Sequence, residues 1–312
     1  MQLVRGLHNL RPQHRGCVAT IGNFDGVHRG HQAILARLRE RAVELGVPSC
    51  VVIFAPQPRE YFPPAPAPAR LARLRDQLQF LAEEGVARVL CLAFNQRLRS
   101  LSATEFVDRI LVDGLGVQHL EVGDDFRFGC DRVGDFDFLQ QAGVTQGFTV
   151  EAAQTVELDG LRVSSTQVRN ALAAADFALA ERLLGRPFRI AGRVLHGQKL
   201  ARQLGTPTAN VQLKRRRVPL TGVYLVSVDI DGQSWPGVAN IGVRPTVAGD
   251  GKAHLEVHLL DFAGDLYDRR LTVVFHQKLR EEQRFASLEA LKTAINADVA
   301  SARALAAPSA HR

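Results

Sequence analysis

Short apolar runs alternate with segments of helical periodicity along residues 1–184. The strand-like runs are CVATI (17–21), CVVIF (50–54), VARVLCLAF (86–94), VQHLEV (117–122) and FTVEAA (148–153). Between the first two runs, apolar side chains recur at the spacing of one helix face, at Ile34, Leu35, Leu38, Ala42 and Leu45. Strands and helices that alternate in this way predict βαβ units and a doubly wound parallel α/β sheet. Ligands of such sheets bind at the carboxyl ends of the strands.

Two further helices are predicted in the same region. One has apolar residues at helical spacing at Leu71, Leu74, Leu78 and Leu81. The other follows the segment Ser-Ala-Thr-Glu (102–105), which has the spacing of a capping box ahead of an apolar run that starts at Phe106.

The pattern changes from about residue 188. Strand-like runs now follow one another, separated by Gly, Pro or Asp-Gly turns: GRVLHG, ANVQL, GVYLVSVDIDG, SWPGVANIG, HLEVHLLDF and LTVVFHQKL. A last helical pattern begins near Ser287. The sequence therefore predicts a small antiparallel β-barrel with a C-terminal helix. With the boundary near Gly185-Arg186-Pro187, the expected domains are 1–184 and 185–312.

Composition narrows the class of protein. The 312 residues carry a formal net charge of +7, which fits a polyanionic partner, either nucleic acid or a phosphate-rich substrate. Scattered arginines and 6% aromatic residues argue against nucleic-acid binding as the main function. No apolar stretch is long enough to span a membrane, and the N-terminus lacks the pattern of a secretory signal. The cysteines match no zinc or redox spacing, which favours a cytoplasmic protein; they are Cys17, Cys50, Cys91 and Cys130.

The segment GNFDGVHRGH (22–31) joins the strand CVATI to the first helix and carries the first candidate site. Its three glycines allow sharp turns and a close approach of the backbone to a ligand. His28 and His31 stand where the helix is expected to begin, near Gly30 or His31. Imidazoles and the free N–H groups of the helix then face the same space, which suits a triphosphate. Two surface histidines in a Gly-rich turn are the alternative interpretation.

These residues resemble a known family. G-x-F-D-G-x-H-x-G-H is similar to the signature of nucleotidylyltransferases, and in this form to the N-terminal module of the bifunctional bacterial riboflavin kinase/FAD synthetases. VVIFAPQPREYF (51–62), VGDDFRFG (122–129) and VSSTQVR (163–169) resemble further motifs of that family in the expected order. The resemblance implies a Rossmann-like domain of the nucleotidylyltransferase type. Its implied reaction transfers an adenylyl group from ATP to FMN and yields FAD and pyrophosphate.

The resemblance also implies roles for individual residues. His28 and His31 are the implied catalytic residues. The implied ATP-binding set is Gly22, Phe24, Asp25, Gly30, Asp125, Ser164, Ser165, Thr166 and Arg169, and the implied flavin-binding set is Phe54, Pro56, Pro58 and Phe62. Of Phe126 and Phe128 in the central loop, one is expected to fill core. The chain departs from the family at Gln57, where a histidine commonly stands between the two prolines.

The second domain has its own motifs. GRVLHGQKL (192–200) comes near a Walker A pattern but lacks Lys-Ser/Thr at the required place, which excludes a P-loop kinase. The segment instead resembles the riboflavin kinase module, which carries P-T-A-N (here 207–210). The resemblance implies that Gly197, Lys199, Thr208 and Asn210 bind ATP and Mg²⁺, with Thr208 and Asn210 as metal ligands. Both side chains supply the hard oxygen ligands that suit Mg²⁺.

Glu256 matches the family's glutamate that accepts a proton from the ribityl 5′-hydroxyl before this oxygen attacks the γ-phosphate. Strand alternation in His254-Leu-Glu-Val-His258 puts Glu256 on the face of both histidines, opposite Leu255 and Val257. Taken alone, such a polar face is more often solvated.

The second domain also departs from the family pattern: it has Ala201-Arg202 where the family usually has Gly-Arg, and it differs at Thr206 and Asp268. These differences bear on loop shape and flavin affinity more than on the reaction. The run Lys214–Arg217 is expected to form a solvated loop.

The expected protein is thus a cytoplasmic bifunctional enzyme that uses Mg²⁺ and ATP with riboflavin and FMN, without nucleic-acid or membrane partners. Two other functions stay open. A nucleotidylyltransferase for another phosphate acceptor would share the first motif but would not need the P-T-A-N barrel. A nucleic-acid-binding module is suggested by charge alone, and would show a steep salt dependence with duplex DNA. The sequence leaves the oligomeric state open.

Overall fold

The computed structural model describes residues 1–62, 67–123, 125–130, 132–196, 207–215, 217–244 and 252–306. Backbone contacts divide the chain into two units. The first comprises Met1–Pro68 and Leu74–Ser164, and the second comprises Ala69–Arg73 and Ser165–Arg312. Two helices that precede the predicted domain boundary therefore pack with the second unit.

The first unit contains a parallel six-stranded sheet. Its strands are β1 (Gln2–Arg5), β2 (Cys17–Ile21), β3 (Ser49–Phe54), β4 (Arg88–Leu92), β5 (Val117–Val122) and β6 (Thr149–Ala152). Their order across the sheet is β1-β4-β3-β2-β5-β6, and every neighbouring pair is parallel. The predicted doubly wound sheet is confirmed. A small hairpin, β7 (Glu157–Leu158) with β8 (Leu161–Arg162), follows it.

Helices connect these strands. They are α1 (Arg29–Glu44), α2 (Pro58–Tyr61), α3 (Leu74–Glu83), α4 (Gln96–Arg99), α5 (Ala103–Phe106) and α6 (Phe136–Gln146). Leu35, Leu38 and Ala42 of α1 are buried, as the helical periodicity requires. The central strands β2 and β4 are buried along their whole length, which is typical of parallel sheets covered on both faces.

The predicted capping box at Ser102 is present. The Ser102 hydroxyl accepts from the Glu105 N–H at 3.1 Å, and the Glu105 carboxylate accepts from the Ser102 N–H at 3.0 Å. The helix then continues as a π-helical segment (Val107–Leu115), a form that the apolar spacing does not distinguish from an α-helix.

Strand β1 was not expected from the sequence. It pairs with β4 at the edge of the sheet, and of its four residues only Val4 is buried. A short edge strand with one buried side chain has too little alternation to be recognised.

The second unit begins with α7 (Ser165–Ala173) and α8 (Phe177–Leu184) and continues into the predicted barrel. The barrel strands are β9 (Arg189–Leu195), β10 (Ala209–Val211), β11 (Gly222–Ile230), β12 (Gln233–Arg244), β13 (Lys252–Leu259) and β14 (Arg270–Arg280). They close in the order β10-β13-β12-β11-β14-β9, and each pair is antiparallel.

The C-terminal helix (Leu288–Ala306) packs on the outer face of the barrel. Its Ala302 and Val299 join Val223 and Val238 of the barrel in an apolar cluster. Arg280 of β14 and the buried Asp298 of the helix form a bidentate ion pair, in which the Nε–Oδ1 and Nη2–Oδ2 distances are both 2.8 Å. This charge-assisted pair fixes the helix to β14.

The expectation of a solvated loop at Lys214–Arg217 is wrong for Arg215. Its Nη1 donates to the carbonyl oxygens of Arg70 and Leu71, at 3.0 and 3.2 Å. The irregular segment Ala69–Arg73 offers carbonyls outside helix and sheet, and a guanidinium has enough donors to pair several of them. Lys214 and Arg217 are exposed, as expected.

Within the described residues, no helix combines the length and the low polarity that crossing a membrane requires.

Candidate active sites

The first candidate site lies at the carboxyl edge of the parallel sheet. Thr20 of β2 is paired with Glu121 of β5 and with Val51 of β3, so the segments that follow these three strands start side by side. The chain passes from β2 to β3 on one side and returns to β5 on the other. This reversal is the topological switch point where open α/β sheets bind ligands.

His28 and His31 are stacked at the start of α1. Their ring centroids are 3.7 Å apart at an interplanar angle of 18°, and the Phe24 ring lies 4.8 Å from His31. The helix α1 begins at Arg29, one residue before Gly30, and His28 is its N-cap, whose Nδ1 accepts from the His31 N–H at 3.4 Å. A neutral imidazole whose Nδ1 accepts carries its proton on Nε2.

The loop before α1 uses its glycines in two ways. Gly26 has a φ of 83°, the left-handed conformation that glycine adopts without penalty. Gly22 and Gly30 have a different role, because a Cβ at these positions would stand 3.1 Å from the Phe24 ring and 3.2 Å from the His28 ring. Phe24 and Val27 have φ values of 44° and 41°, which are strained for these residue types.

Two side-chain amides hold this strained loop by its carbonyls. Gln77, a buried residue of α3, donates from Nε2 to the Asn23 oxygen at 2.7 Å. Gln32 of α1 donates from Nε2 to the Val27 oxygen at 3.0 Å. The contact between Gln77 and Asn23 could not be predicted from the sequence, because the two residues are far apart along the chain and share no local pattern.

Glu121 and Arg37 join α1 to β5. The Arg37 Nε donates to Glu121 Oε1 at 3.0 Å, and Arg37 Nη2 contacts the same oxygen. Burial raises the pKa of the Glu121 carboxyl, and the Arg37 guanidinium opposes this shift. The pair holds the helix that begins with the histidines against the strand beside β2.

The second phosphate motif reaches this site in part. The Val163 carbonyl lies 3.2 Å from the position of a Cβ at Gly30, so the segment before Ser164 contacts the first turn of α1. Ser165, Thr166 and Arg169 belong to α7, in the second unit. There the Arg169 Nε donates to the Ala69 carbonyl at 2.6 Å.

The central loop follows β5. Asp125 is exposed, and its Oδ1 lies 2.9 Å from the position of a Cβ at Gly123, so the carboxylate folds back over the end of β5. Phe128 is buried and Phe126 is half-buried, stacked on it at 5.5 Å. The expectation that one of the two fills core is confirmed. Asp25, from the first motif, is also buried.

Aromatic residues gather beyond the ends of β3 and β4. Phe54, Tyr61 and Phe62 all contact Phe94, with ring centroids 6.1, 5.4 and 5.8 Å from it. The Arg99 guanidinium lies 5.1 Å from the centre of the Phe62 ring. The sequence predicted Phe54 and Phe62 but missed Phe94, although it follows the strand beside β3. Phe62 is 44% exposed, which leaves a face of this cluster open.

The segment between these aromatics contains Pro56, Gln57 and Pro58. Pro58 is the first residue of α2, where proline is favoured, and Gln57 is the N-cap. The Gln57 N–H donates to Glu60 Oε2 at 2.8 Å. The Gln57 Nε2 is buried and donates to no residue that the structure describes.

The second candidate site lies on the outer face of the barrel. Glu256 of β13 is paired with Asn210 of β10 on one side and with Asn240 of β12 on the other. Directly opposed residues on neighbouring strands point to the same face, with Cβ atoms about 5 Å apart. The register therefore forms a lateral row, Asn210–Glu256–Asn240.

Alternation along β13 agrees with the prediction. Leu255 and Val257 are 1% exposed and fill the barrel interior, whereas His254, Glu256 and His258 are partly exposed on the other face. The His258 Nδ1 lies 2.9 Å from the Pro207 carbonyl, which links β13 to the residue before Thr208. Thr208 is half-buried.

Asp268 stands where the family has glycine, and its backbone conformation shows why aspartate is tolerated there. Its φ is 60°, a left-handed conformation that glycine adopts freely and that aspartate tolerates better than most residues. The loop can therefore keep its shape with aspartate. Gly197 and Lys199, predicted for the kinase site, lie outside the described residues, as do Ala201, Arg202 and Thr206.

Oxygen donors are found at the second candidate site. Across the described residues, no group of three or more histidine, cysteine and acidic side chains is arranged to hold a metal ion. The Thr208 hydroxyl and the Asn210 amide oxygen, next to the Glu256 row, are hard donors of the kind that Mg²⁺ prefers.

Comparisons with known proteins cover the whole chain. Residues 10–167 match the family model for FAD synthetase, and residues 184–306 match the model for riboflavin kinase. The bifunctional riboflavin kinase/FMN adenylyltransferase of Pseudomonas fluorescens is 93% identical over 100% of both chains. The enzyme of the same description from Escherichia coli (strain K12) is 54% identical and covers 97% of both chains.

Among solved structures, a crystal structure described as a macrolide-efflux protein from Streptococcus pneumoniae is similar to this chain. It has a TM-score of 0.80 and 28% sequence identity, and the match covers 97% of this chain and 99% of that one.

Proposed function

The chain belongs to the family of bifunctional riboflavin kinase/FMN adenylyltransferases, and from that membership we propose which of its residues carry each reaction. The enzyme phosphorylates riboflavin to FMN with ATP, and it transfers the adenylyl group of a second ATP to FMN, which yields FAD and pyrophosphate.

The functional division of the chain falls between residues 184 and 185. The adenylyltransferase domain then comprises 1–184 and the kinase domain 185–312. This division is supported by the riboflavin kinase model, whose match begins at residue 184.

Adenylyl transfer takes place at the carboxyl edge of the parallel sheet. A phosphate oxygen of FMN attacks the α-phosphorus of ATP in line, and pyrophosphate leaves. His28 and His31 bind the phosphate oxygens and offset the charge that develops on them. The stacked imidazoles at the N-terminus of α1 support this assignment, because the N-terminal end of a helix favours phosphate binding.

The rest of the nucleotide contacts the motifs around this point. Phe24 and Asp25 shape the loop, Asp125 comes from the loop after β5, and Ser164 leads into the second motif. Gly22 and Gly30 give the rings of Phe24 and His28 the space to lie there. Ser165, Thr166 and Arg169 complete the predicted set.

The flavin of FMN contacts the aromatic cluster and the segment Pro56–Pro58. Phe54 and Phe62 offer apolar area, and Phe94 joins them. Gln57 replaces the family's histidine with an amide whose buried Nε2 is available for an acceptor on the ligand.

Phosphorylation of riboflavin takes place on the outer face of the barrel. Glu256 accepts the proton of the ribityl 5′-hydroxyl, and this oxygen attacks the γ-phosphorus of ATP as ADP leaves. The observation that carries this assignment is the register that sets Asn210 of P-T-A-N directly beside Glu256. Gly197 and Lys199 belong to the same predicted site.

Mg²⁺ fits the donors of this site. Thr208 and Asn210 would hold it through their side-chain oxygens, both uncharged, which leaves the remaining coordination to ATP phosphates and water. When bound, Mg²⁺ neutralises phosphate charge and orients the γ-phosphate.

The enzyme works in the cytoplasm with ATP, riboflavin and FMN as its ligands. Three of its four cysteines are buried free thiols, which agrees with a reducing compartment. Its net charge of +7 is accounted for by two sites that bind polyphosphate, without a nucleic-acid or membrane partner.

Chromatography of flavin products tests the assignment of Glu256. With riboflavin, ATP and Mg²⁺, the wild-type protein is expected to form FMN and then FAD. E256Q is expected to lose FMN formation by about 10²-fold or more, because the amide cannot take the proton. Supplied with FMN, E256Q is expected to form FAD at the wild-type rate. Unchanged phosphorylation by E256Q would contradict the role of this residue.

A further inference from the structure

A third residue of the lateral row on the barrel has no role in the reactions described so far. Asn240 of β12 is directly opposed to Glu256 of β13, and on its other side to Val223 of β11. Ala239 and Ile241, its neighbours along the strand, are completely buried in the barrel. Asn240 therefore projects from the outer face, beside the proposed base.

Asn240 stands where two kinds of surface meet. Val223 and Val238 belong to the apolar cluster beneath the C-terminal helix, and Glu256 belongs to the polar row. At this border the amide is partly buried. Its Oδ1 is fully shielded and accepts no hydrogen bond from any residue that the structure describes.

A shielded amide oxygen without a donor is unfavourable in the free protein. Such a position is explained if a ligand supplies the missing donor. We propose that Asn240 binds a hydroxyl of the ribityl chain of riboflavin and thereby presents the 5′-hydroxyl to Glu256. This inference rests on the proposed kinase site and adds a residue that selects the polyol part of the substrate.

The polyol fits this position better than the metal does. The Oδ1 atom needs a hydrogen-bond donor, and each ribityl carbon except the first carries a hydroxyl. Two strand spacings, about 10 Å, separate the Cβ atoms of Asn210 and Asn240. Side chains on the convex outer face of a barrel diverge. A Mg²⁺ ion with ligand distances of about 2 Å beside Asn210 is therefore out of reach for Asn240.

The test compares N240L with the wild-type enzyme in riboflavin phosphorylation. Leucine keeps most of the volume and removes both polar atoms. We expect the KM for riboflavin to rise about tenfold, as for the loss of one hydrogen bond in a shielded site. The KM for Mg-ATP is expected to stay within about twofold. Because Oδ1 accepts from no residue that the structure describes, N240L is expected to unfold at no lower temperature than the wild type.

A flavin that lacks the ribityl chain distinguishes the loss of a contact with that chain from a general distortion of the flavin site. Lumiflavin carries the same ring with a methyl group in place of the ribityl chain. Its inhibition constant against riboflavin is expected to be the same for N240L and the wild type. Q277L, which removes an exposed amide of β14, serves as the matched control and is expected to change none of these constants.

Three results would overturn the inference. An unchanged KM for riboflavin in N240L would exclude the contact. An equal loss of lumiflavin affinity would show that the variant distorts the flavin site. A rise confined to the KM for Mg-ATP would identify Asn240 as part of the nucleotide or metal site. Failure of the proposed kinase site itself appears separately, as phosphorylation that survives in E256Q.

Discussion

The histidine site is built on loops at the end of a parallel sheet, whereas the glutamate site is built on the faces of barrel strands. In the first, Phe24 and Val27 have strained left-handed φ values, and the amides of Gln77 and Gln32 hold the loop in place. In the second, the ladder register alone sets Asn210 beside Glu256.

This difference determines how strongly each activity depends on residues outside its site. Backbone strain persists only where surrounding contacts impose it, so the first site depends on residues that never touch the substrate. A strand ladder fixes its side chains through many main-chain hydrogen bonds, and one substitution leaves most of them intact. We therefore expect the adenylyltransferase activity to be the more sensitive of the two to substitutions outside the site.

The largest effect is expected from the histidines themselves. H28N keeps an N-cap side chain, because asparagine accepts from the N–H groups of the first turn as well as any residue, but it removes the imidazole. We expect FAD formation from FMN to fall by about 10²-fold or more, as for the loss of one preorganised donor. Riboflavin phosphorylation is expected to change by less than about twofold.

H28A loses the cap as well as the imidazole, and its comparison with H28N isolates the chemical role. Rates of FAD formation and thermal unfolding are measured for both variants. If H28N retained most of the activity while H28A lost it, His28 would act only as a helix cap.

A smaller effect is expected when the loop loses its support. Q77L removes the donor to the Asn23 carbonyl, and the loss of this hydrogen bond is expected to cost about 1 kcal/mol in the free energy of unfolding. We expect kcat/KM for adenylyl transfer to fall about tenfold, because small displacements of a catalytic loop are costly. Q79L, at an exposed position of the same helix, is the control. Equal effects of Q77L and Q79L would contradict the supporting role.

A pH effect on the free energy of unfolding is expected from His119 of β5. Burial lowers the pKa of His119; Glu151, whose carboxylate lies 4.0 Å away, opposes the shift, and Arg41 adds to it. A histidine with a lowered pKa binds fewer protons when folded than when unfolded. Its contribution to stability is therefore lost as the pH falls through the unfolded value of about 6.5.

Chemical denaturation at about pH 7.5 and about pH 5.5 measures this loss. The free energy of unfolding is expected to be lower at the acid pH, and H119Q, which cannot titrate, is expected to lose less between the two. His14 and His276 also have lowered pKa values and contribute in the same direction. An H119Q profile as steep as that of the wild type would assign the effect to the other histidines.

The smallest effect is expected at Asp268 in the barrel. D268G places glycine at a φ of 60°, which relieves backbone strain in the folded protein. Glycine also makes the unfolded chain more flexible, which lowers stability, and the two effects on the free energy of unfolding nearly cancel. The free energy of unfolding is expected to change by less than about 1 kcal/mol, and the KM for riboflavin by less than about twofold. A large rise in riboflavin affinity in D268G would show that the aspartate itself weakens flavin binding.

The same contrast explains how much could be predicted from the sequence. His28 and His31 belong to a dense local motif, whereas Glu256 was predicted because it matches a glutamate of the family, and the period-two pattern placed it only on the polar face of its strand. Gln77 was missed because its partner, Asn23, is joined to it only by the fold. Phe94 was missed for the same reason, since its contact with Phe54 depends on the neighbouring positions of β3 and β4.

Asn240, which lies beside Glu256 on the strand opposite to Asn210, could not be predicted from the sequence either. Asn240 lies in ANIG, a segment without evident chemistry, and only the register of β12 with β13 places it beside the glutamate. Contacts between distant strands need the ladder, which no local periodicity specifies.

The most direct test of two separate active sites is the flavin product pattern of H31A and E256Q, alone and mixed, with riboflavin, ATP and Mg²⁺. We expect H31A alone to accumulate FMN and E256Q alone to form neither product from riboflavin, although it forms FAD when FMN is supplied. The mixture is expected to form FAD from riboflavin. Loss of both reactions in either folded single variant would contradict the account.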